Sequence, residues 1–201
     1  MSNETIEKNN KFKLILEKIK EKSKLIIITL SILVLVFLTI IFLNEKAKNQ
    51  NILTSEQFNK AKILIGNEKK EEANIILKKI INKENKFYSP LSLYLIIENQ
   101  LESDPQEVVK LFDKLILNKK IDEDNKNLIR IKKAFFIANF AEEQSLLEVL
   151  NPVINSNSVW KIEAIKFLVD YFSNKGEKKK SDEYYNLLIR EADLEQIKAQ
   201  D

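Results

Sequence analysis

The stretch "LIIITLSILVLVFLTIIFL" (Leu25–Leu43) decides the fold, because it contains nineteen consecutive residues without a charge, an amide or a proline. At about 1.5 Å per residue such a helix reaches roughly 28 Å, close to the ~30 Å hydrocarbon thickness of a bilayer. A core helix of a soluble protein keeps a polar stripe, whereas only Thr29, Ser31 and Thr39 interrupt this run. Each of these hydroxyls can bond to a backbone carbonyl one turn earlier. The segment predicts a membrane anchor with its ends at Leu25 and Leu43.

The residues on either side of this segment predict whether it is cleaved and how it is oriented in the membrane. A cleavable export signal would be followed by a small-x-small site, but "NEKAKNQNIL" after Leu43 has none, so the anchor is predicted to be retained. Six lysines precede the segment closely and two follow it: Lys11, Lys13, Lys18, Lys20, Lys22 and Lys24, then Lys46 and Lys48. The asymmetry predicts a single-pass protein of the bacterial inner membrane, with its N-terminus in the cytoplasm and its C-terminal domain in the periplasm. Lys18, Lys20, Lys22 and Lys24 are the strongest topology-setting candidates.

Composition excludes several functions. The chain has 33 basic and 30 acidic residues, and residues 1–24 contain seven Lys and four Glu, so this tail (7 − 4 = +3) carries the entire net charge of +3. The remainder is about neutral, which argues against nucleic-acid binding. The chain has no Cys and no His, and therefore no disulfide, no thiolate ligand and no imidazole base. No metal site and no cofactor are expected.

After Thr54 the apolar residues follow a helical period and nowhere alternate as in a strand. Ala73, Ile76, Leu77, Ile80 and Ile81, for example, fall at i, i+3, i+4, i+7 and i+8. Three motifs predict helix starts: "TSEQ" (54–57), Ser89 before Pro90 as an N-cap and first-turn proline, and "DPQE" (104–107) as a capping box. The pattern predicts helices at 55–66, 68–82, 90–102, 105–118, 124–139, 143–155, 158–174 and 177–192.

These helices form four predicted antiparallel pairs, and the pairs repeat. The turns within pairs fall near Glu68, Asp104, Ala141 and Gly176, at spacings of 36, 37 and 35 residues, close to the tetratricopeptide period of about 34. In register after these turns come Ala73, Val109, Leu146 and Ser181, and one turn later Leu77, Leu150 and Tyr185. The predicted fold is all-α, one transmembrane helix followed by a tetratricopeptide-like solenoid of about four helix pairs. The predicted regions are a cytoplasmic tail (1–24), anchor (25–43), linker (44–54), repeat domain (55–192) and C-terminal tail (193–201).

This order of elements, together with segments such as "FNKAKILIGNEKKEEANIILKKI" and "VWKIEAIKFLVDYFSNKGEKKKSDEYYNLLI", resembles the YfgM family. The resemblance spans roughly residues 10 to 192, and Trp160, four residues before Ala164, is its most suggestive landmark. Members of that family are ancillary subunits of the SecYEG translocon that link the channel to periplasmic chaperones. The resemblance therefore implies these two partners, in addition to membrane lipid around the anchor.

The sequence offers little for catalysis, so an enzyme is not expected and no catalytic residue is assigned. The paired acids at 71–72, 122–124 and 142–143 lie at or near predicted helix starts, where the helix dipole favours negative charge. Most aromatic residues are predicted to be core, among them Phe135 and Trp160, while Tyr94 and Tyr171 are candidates for a partner-facing surface. The leading hypothesis is a translocon-associated interaction protein. The alternatives are a tetratricopeptide scaffold for cytochrome c maturation or cell division, and an enzyme.

Overall fold

A computed structural model describes Lys13 and residues 23–198, and all regular secondary structure in these residues is helical. The chain divides into two compact units, unit 1 (Met1–Leu53) and unit 2 (Thr54–Asp201). The described part contains eight helices: α1 (Ser23–Gly66), α2 (Lys70–Asn82), α3 (Tyr88–Glu98), α4 (Pro105–Leu117), α5 (Glu123–Ile137), α6 (Glu143–Ile154), α7 (Lys161–Asn174) and α8 (Lys178–Lys198). The all-helical prediction is confirmed for these residues.

The first helix, α1, contains the predicted anchor and leaves it uncovered. Its described apolar side chains between Leu25 and Leu43 are 48–68% exposed. The Ser31 and Thr39 hydroxyls donate to the carbonyls of Ile27 and Leu35, each at 2.8 Å, as their sequence positions predict. This helix near the N-terminus is long and apolar enough to cross a membrane.

The same helix continues through the predicted linker (44–54) and the predicted first repeat helix (55–66) without a break. The predicted start at Thr54 is therefore wrong, and Thr54 is a buried residue inside α1. The physical reason is that the first glycine of the chain is Gly66 and the first proline is Pro90, so nothing before Gly66 interrupts helix propagation. At the other end of the chain, α8 extends to Lys198, six residues into the predicted C-terminal tail.

Two of the predicted caps differ from the structure. Asp104 does cap α4, with its Oδ1 accepting a hydrogen bond from the Gln106 amide at 2.8 Å. The reciprocal capping-box contact of Glu107 is absent from α4, since that carboxylate pairs with Lys110 at 2.6 Å. The α3 start is set by Asn85, whose Oδ1 accepts from the amides of Phe87 and Tyr88, and not by Ser89. Ser89 is buried, and its hydroxyl donates to the Ile80 carbonyl at 3.0 Å.

The apolar core of unit 2 is formed by two clusters that share α5. One cluster joins Ala61 of α1 with α2, α3 and α4, and the other joins α5 to α8. Ile129 of α5 belongs to the first cluster and Ala134 belongs to the second, while Phe136 packs against both. The predicted core positions Leu77, Leu146 and Leu150 are at most 1% exposed. The prediction fails at Tyr185, which is 52% exposed on α8.

Polar contacts show that the helices of unit 2 alternate in direction. Asn74, early in α2, donates to the Leu101 carbonyl just after α3, as antiparallel neighbours require. The loops 83–87, 118–122 and 155–160 therefore share one end of unit 2, here named the basal end. Its side-chain contacts join Lys83 with Gln57 of α1, Asn118 with the Glu84 carbonyl, and Ser158 with Asp124. The turns at 67–69, 99–104, 138–142 and 175–177 lie at the opposite, apical end.

Three apical turns end their helices in a left-handed residue: Glu68 (φ 62°), Gln100 (φ 51°) and Gly176 (φ 75°). In each, two backbone hydrogen bonds close the turn in the Schellman pattern, such as Leu101 N–H to the Ile96 carbonyl at 2.9 Å and Gln100 N–H to the Ile97 carbonyl at 3.2 Å. Only Gly176 is the residue type that adopts this conformation without a steric cost.

Replacing Glu68 and Gln100 together by glycine is expected to stabilise unit 2 by about 1 kcal/mol, because relief of left-handed strain exceeds the added backbone entropy. The midpoint of thermal unfolding, followed by circular dichroism, should rise by roughly 2–4 °C. Gly176→Ala is the matched opposite and should lower the midpoint, since its Cβ would meet no neighbour and the cost is conformational alone. An unchanged or lower midpoint for the double glycine variant would contradict the argument.

Candidate functional site

The predicted acid pairs lie in the first turns of helices in unit 2. Glu71 and Glu72 begin α2, and Asp122 caps α5 by accepting from the Asn125 amide at 3.0 Å. Hydrogen bonds from the side chain and then the backbone of Asn125 lower the pKa of Asp122. Glu143 begins α6 and binds Lys180 of α8 at 2.7 Å. The described residues contain no group of three or more acids placed to hold a metal ion.

The most distinctive concave surface lies between α3 and α5, and Tyr94 lies at its centre. On one side of Tyr94 is a hollow of about 490 Å³ lined by Tyr94, Ile97, Glu98, Phe112, Lys132, Phe135 and Phe136. On its other side is a hollow of about 380 Å³ lined by Lys86, Phe87, Pro90, Leu91, Tyr94, Asp122, Asn125, Leu128 and Ile129. We call the two hollows together the α3–α5 groove.

Tyr94 is half-buried between the two hollows, on the face that the sequence prediction assigned to partners. The Lys132 ammonium lies 4.7 Å from the centroid of its ring, a cation–π distance. Burial raises the pKa of Tyr94 to about 12. A tyrosine phenol is protonated at neutral pH even at its ordinary pKa of about 10, so Tyr94 can donate a hydrogen bond to an acceptor in the groove.

Phe135 contributes an exposed ring to the larger hollow, although its helical phase predicts a core position. The ring is 56% exposed, and its edge packs against Phe167 of α7 with the centroids 4.5 Å apart. Phe136, one residue later, turns inward and packs on Phe112 at 5.8 Å. These contacts hold the apolar wall of the groove rigidly, so that an incoming apolar side chain need not order it.

Tyr171 is not part of this surface. The side chain is only 8% exposed and belongs to the core of α5–α8, where its ring stacks on Phe167 at 6.2 Å. The partner-facing prediction for Tyr171 is corrected: α7 packs against α6 and α8, and this packing encloses the ring. Trp160 is half-buried at the start of α7 and packs against the same core, as predicted.

The sequence singled out Tyr94 as a candidate but none of the other residues that line the groove with it. Lys132 is an exposed lysine among many, and Phe112 has the period of a core residue. Neither has a distinguishing motif: α4 brings Phe112 to the groove by packing against both α3 and α5, and α5 places the Lys132 ammonium over the Tyr94 ring. Chemically, the groove offers aromatic faces, the ammonium groups of Lys86 and Lys132, and the carboxylates of Asp122 and Glu98. This combination suits an apolar or aromatic peptide side chain with a polar backbone beside it.

A larger hollow of about 640 Å³ lies between α4, α5 and α6. One pair of its charged side chains is joined across the helices, since the ammonium of the buried Lys133 lies 2.5 Å from Asp113. Seven of its fourteen lining residues are polar or charged, whereas the larger hollow of the α3–α5 groove is lined mainly by aromatic residues. We therefore take the α3–α5 groove as the candidate functional site.

Comparison of the chain with protein-family models, curated proteins and solved structures finds no match.

Proposed function

We propose that this chain is a non-enzymatic, membrane-tethered interaction protein that binds partners through the α3–α5 groove. The observation that carries the proposal is the uncovered apolar surface of α1 between Leu25 and Leu43. Soluble monomers rarely expose an apolar surface that large and continuous. A lipid bilayer covers it fully, and the length of the segment matches the hydrocarbon thickness.

The proposed location is the bacterial inner membrane, with residues 1–24 in the cytoplasm and unit 2 in the periplasm. The lysine asymmetry around the anchor supports this orientation. Lys18, Lys20 and Lys22 lie outside the described residues, and Lys24 lies in α1. The positive-inside rule uses only the number of Lys and Arg residues near each end of the anchor, so it does not require the positions of their side chains.

The proposed architecture of unit 2 is a tetratricopeptide-like solenoid. Its support is a recurring sequence separation between side-chain contacts: 34 residues for Asn118 with Glu84, 34 for Ser158 with Asp124, and 37 for Lys180 with Glu143. Such contacts join corresponding positions of successive helix pairs, as stacking of a repeat requires. In this architecture α3 and α5 are the first helices of consecutive pairs, so the α3–α5 groove is the natural binding face.

The proposed partners are a SecYEG-type translocon and periplasmic chaperones or emerging chains. The resemblance to the YfgM family supports this choice, and the groove supports a peptide as the ligand. Emerging chains expose the apolar side chains that the rings of Tyr94 and Phe135 can bind.

Reporter fusions test the orientation. An enzyme that is active only in the periplasm, fused after Asp201, is expected to be active, because the six lysines before the anchor retain the N-terminus in the cytoplasm. The same fusion to a cytoplasm-only reporter is the control and should be silent. The reverse pattern would overturn the orientation and the periplasmic partners with it.

Site-specific photo-crosslinking in native membranes tests the groove. A photoreactive residue at Phe135 is expected to capture translocon or chaperone subunits, whereas one at Ile75 of α2 is not. The two sites are matched, since both side chains are 56% exposed and Ile75 lies outside the groove. Equal capture from both sites would remove the groove from the proposal. Recovery of cytochrome-maturation or division components without translocon subunits would replace the Sec partner with the scaffold alternative.

A further inference from the structure

The last described helix, α8, carries apolar side chains on its exposed side as well as on its packed side. It packs chiefly against α7, and Tyr184, Leu187 and Leu188 contact the core of α5–α8. Tyr185 and Ile189 lie outside that contact and are 52% and 45% exposed. The exposed side of α8 therefore combines apolar and charged groups, as a surface that binds another protein does.

The exposed residues of α8 form a continuous stripe along the helix. Counted from Lys179, the positions i, i+3, i+7, i+10 and i+14 lie on one side, because 3.6 residues make one helical turn. We call these positions, together with Tyr185 and Arg190 beside them, the outer face of α8. All of its residues are exposed: Lys179, Asp182, Tyr185, Asn186, Ile189, Arg190 and Asp193.

The charges on the outer face are antisymmetric about Asn186. Toward the N-terminus, Asp182 lies four residues before Asn186, and Lys179 lies seven residues before it. Toward the C-terminus the signs are reversed, since Arg190 lies four residues after Asn186 and Asp193 lies seven residues after it. A helix with this pattern is complementary in charge to a copy of itself that runs in the opposite direction.

A two-fold axis beside Asn186 brings the complementary groups of two copies together. Lys179 then lies opposite Asp193 and Asp182 lies opposite Arg190, and each pair occurs twice because the interface is isologous. The two Asn186 amides meet at the axis, where each can donate a hydrogen bond to the other. Tyr185 and Ile189 of one copy lie within a turn of Ile189 and Tyr185 of the other. A parallel copy in register would instead place every charge opposite the same charge.

The other charged side chains described on α8 are consistent with this arrangement. Two pair with other helices of unit 2 and two are exposed at the edges of the outer face, namely Lys180 and Glu191, and Lys178 and Glu183. In the antiparallel arrangement Lys178 comes within one residue of Asp193 of the second copy, and Glu183 comes within one residue of Arg190. Both edge charges therefore also meet a charge of the opposite sign.

We infer that unit 2 binds a second copy of itself through the outer face of α8, in an antiparallel helix pair centred on Asn186. The inference rests on unit 2 alone and is independent of the proposed anchor and of the α3–α5 groove. The contact uses one helix of 21 residues from each copy, which is small beside the ~1,200–2,000 Å² that stable interfaces bury. Its ion pairs are exposed, so the association is weak and reversible.

Disulfide trapping in the full chain in mild detergent tests the inference, because the chain has no native cysteine. Asn186→Cys should yield a disulfide-linked dimer on mild oxidation, since the two-fold axis brings these positions within the ~7 Å Cα separation that a disulfide requires. Ile75→Cys of α2 is the matched control and should yield far less dimer, because Ile75 is 56% exposed and lies outside the outer face. Equal trapping of the two variants would overturn the inference.

The direction of the pair is tested with a second set of variants. Lys179→Cys alone should not be trapped, because its two copies would lie roughly 21 Å apart along an antiparallel pair. A mixture of Lys179→Cys chains and Asp193→Cys chains should be trapped as a mixed dimer, in which the second Lys179–Asp193 ion pair is intact. Trapping of Lys179→Cys with itself as efficiently as Asn186→Cys would indicate a parallel pair and contradict the inference.

Charge exchange tests the complementarity itself. In the Asn186→Cys chain, Asp193→Lys should lower the trapped fraction by about ten-fold, because two attractive contacts become repulsive. Addition of Lys179→Asp restores opposite charges in the reverse order, and with them the original net charge, so trapping should recover. No loss with the first substitution, or no recovery with the second, would show that these charges do not direct the association and would overturn the inference.

Discussion

Leu150→Asp is expected to unfold the α5–α8 half of unit 2. Leu150 is fully buried in the apolar cluster formed by these helices. The substitution removes apolar contacts and buries a carboxylate without a partner, for a combined cost of about 5 kcal/mol or more. That is comparable to the whole stability of a typical domain. Urea unfolding should show no native baseline, with Trp160 fluorescence reporting the half-buried indole in this cluster.

Leu117→Asp is the control for that experiment, since it makes the same chemical change at a side chain that is 78% exposed. Its free energy of unfolding in detergent should stay within about 0.5 kcal/mol of that of the original chain. Similar stabilities for the two variants would mean that Leu150 is not in the core.

In the proposed function, replacing Leu25–Leu43 with a cleavable export signal is expected to abolish association with the proposed membrane partners, although unit 2 still folds and is exported. The proposed anchor would confine unit 2 to the surface of the membrane, which would raise its effective concentration beside the proposed channel and could increase apparent affinity by about 10²–10⁴-fold. With that increase in affinity, weak contacts in the shallow α3–α5 groove would be enough for association. Co-purification from mildly solubilised membranes measures the loss.

A matched variant distinguishes tethering from specific contacts of the anchor. Here an unrelated, retained transmembrane helix of equal length replaces Leu25–Leu43, and association should persist. Loss of association in this variant would show that the anchor itself recognises the partner. Full association of the released domain would instead show that tethering is not needed.

The sequence was sufficient for features that depend on local or periodic patterns. The uncharged run Leu25–Leu43 predicts a long apolar helix. The helical period of Ala73, Leu77 and Ile80 predicts the buried face of α2. The Asp104 cap was also predictable, because its proline and its amide contact are local. The predicted start at Thr54 failed, because a cap worth about 1 kcal/mol cannot end a helix that nothing else interrupts.

Features that depend on how the helices pack against one another could not be predicted from local or periodic patterns. Tyr171 and Tyr185 are both in phase with the apolar positions of their helices. Tyr171 is buried because other helices pack against α7, whereas Tyr185 is exposed on α8, the last described helix. The complete groove could not be predicted for the same reason. Lys132 and Phe112 become partners of Tyr94 only through the packing of non-adjacent segments.

The sharing of α5 by two core clusters has a consequence for local unfolding. The helix presents Ile129 to one cluster and Ala134 to the other, with Phe136 in contact with both, so neither half of unit 2 can open without disturbing its turns. Amide hydrogens of α5 should therefore exchange with solvent more slowly than those of α2 or α8, which belong to a single cluster. A peptide held against Phe135 and Phe136 would slow exchange in both halves at once, so that binding at one groove stabilises the whole of unit 2 against opening.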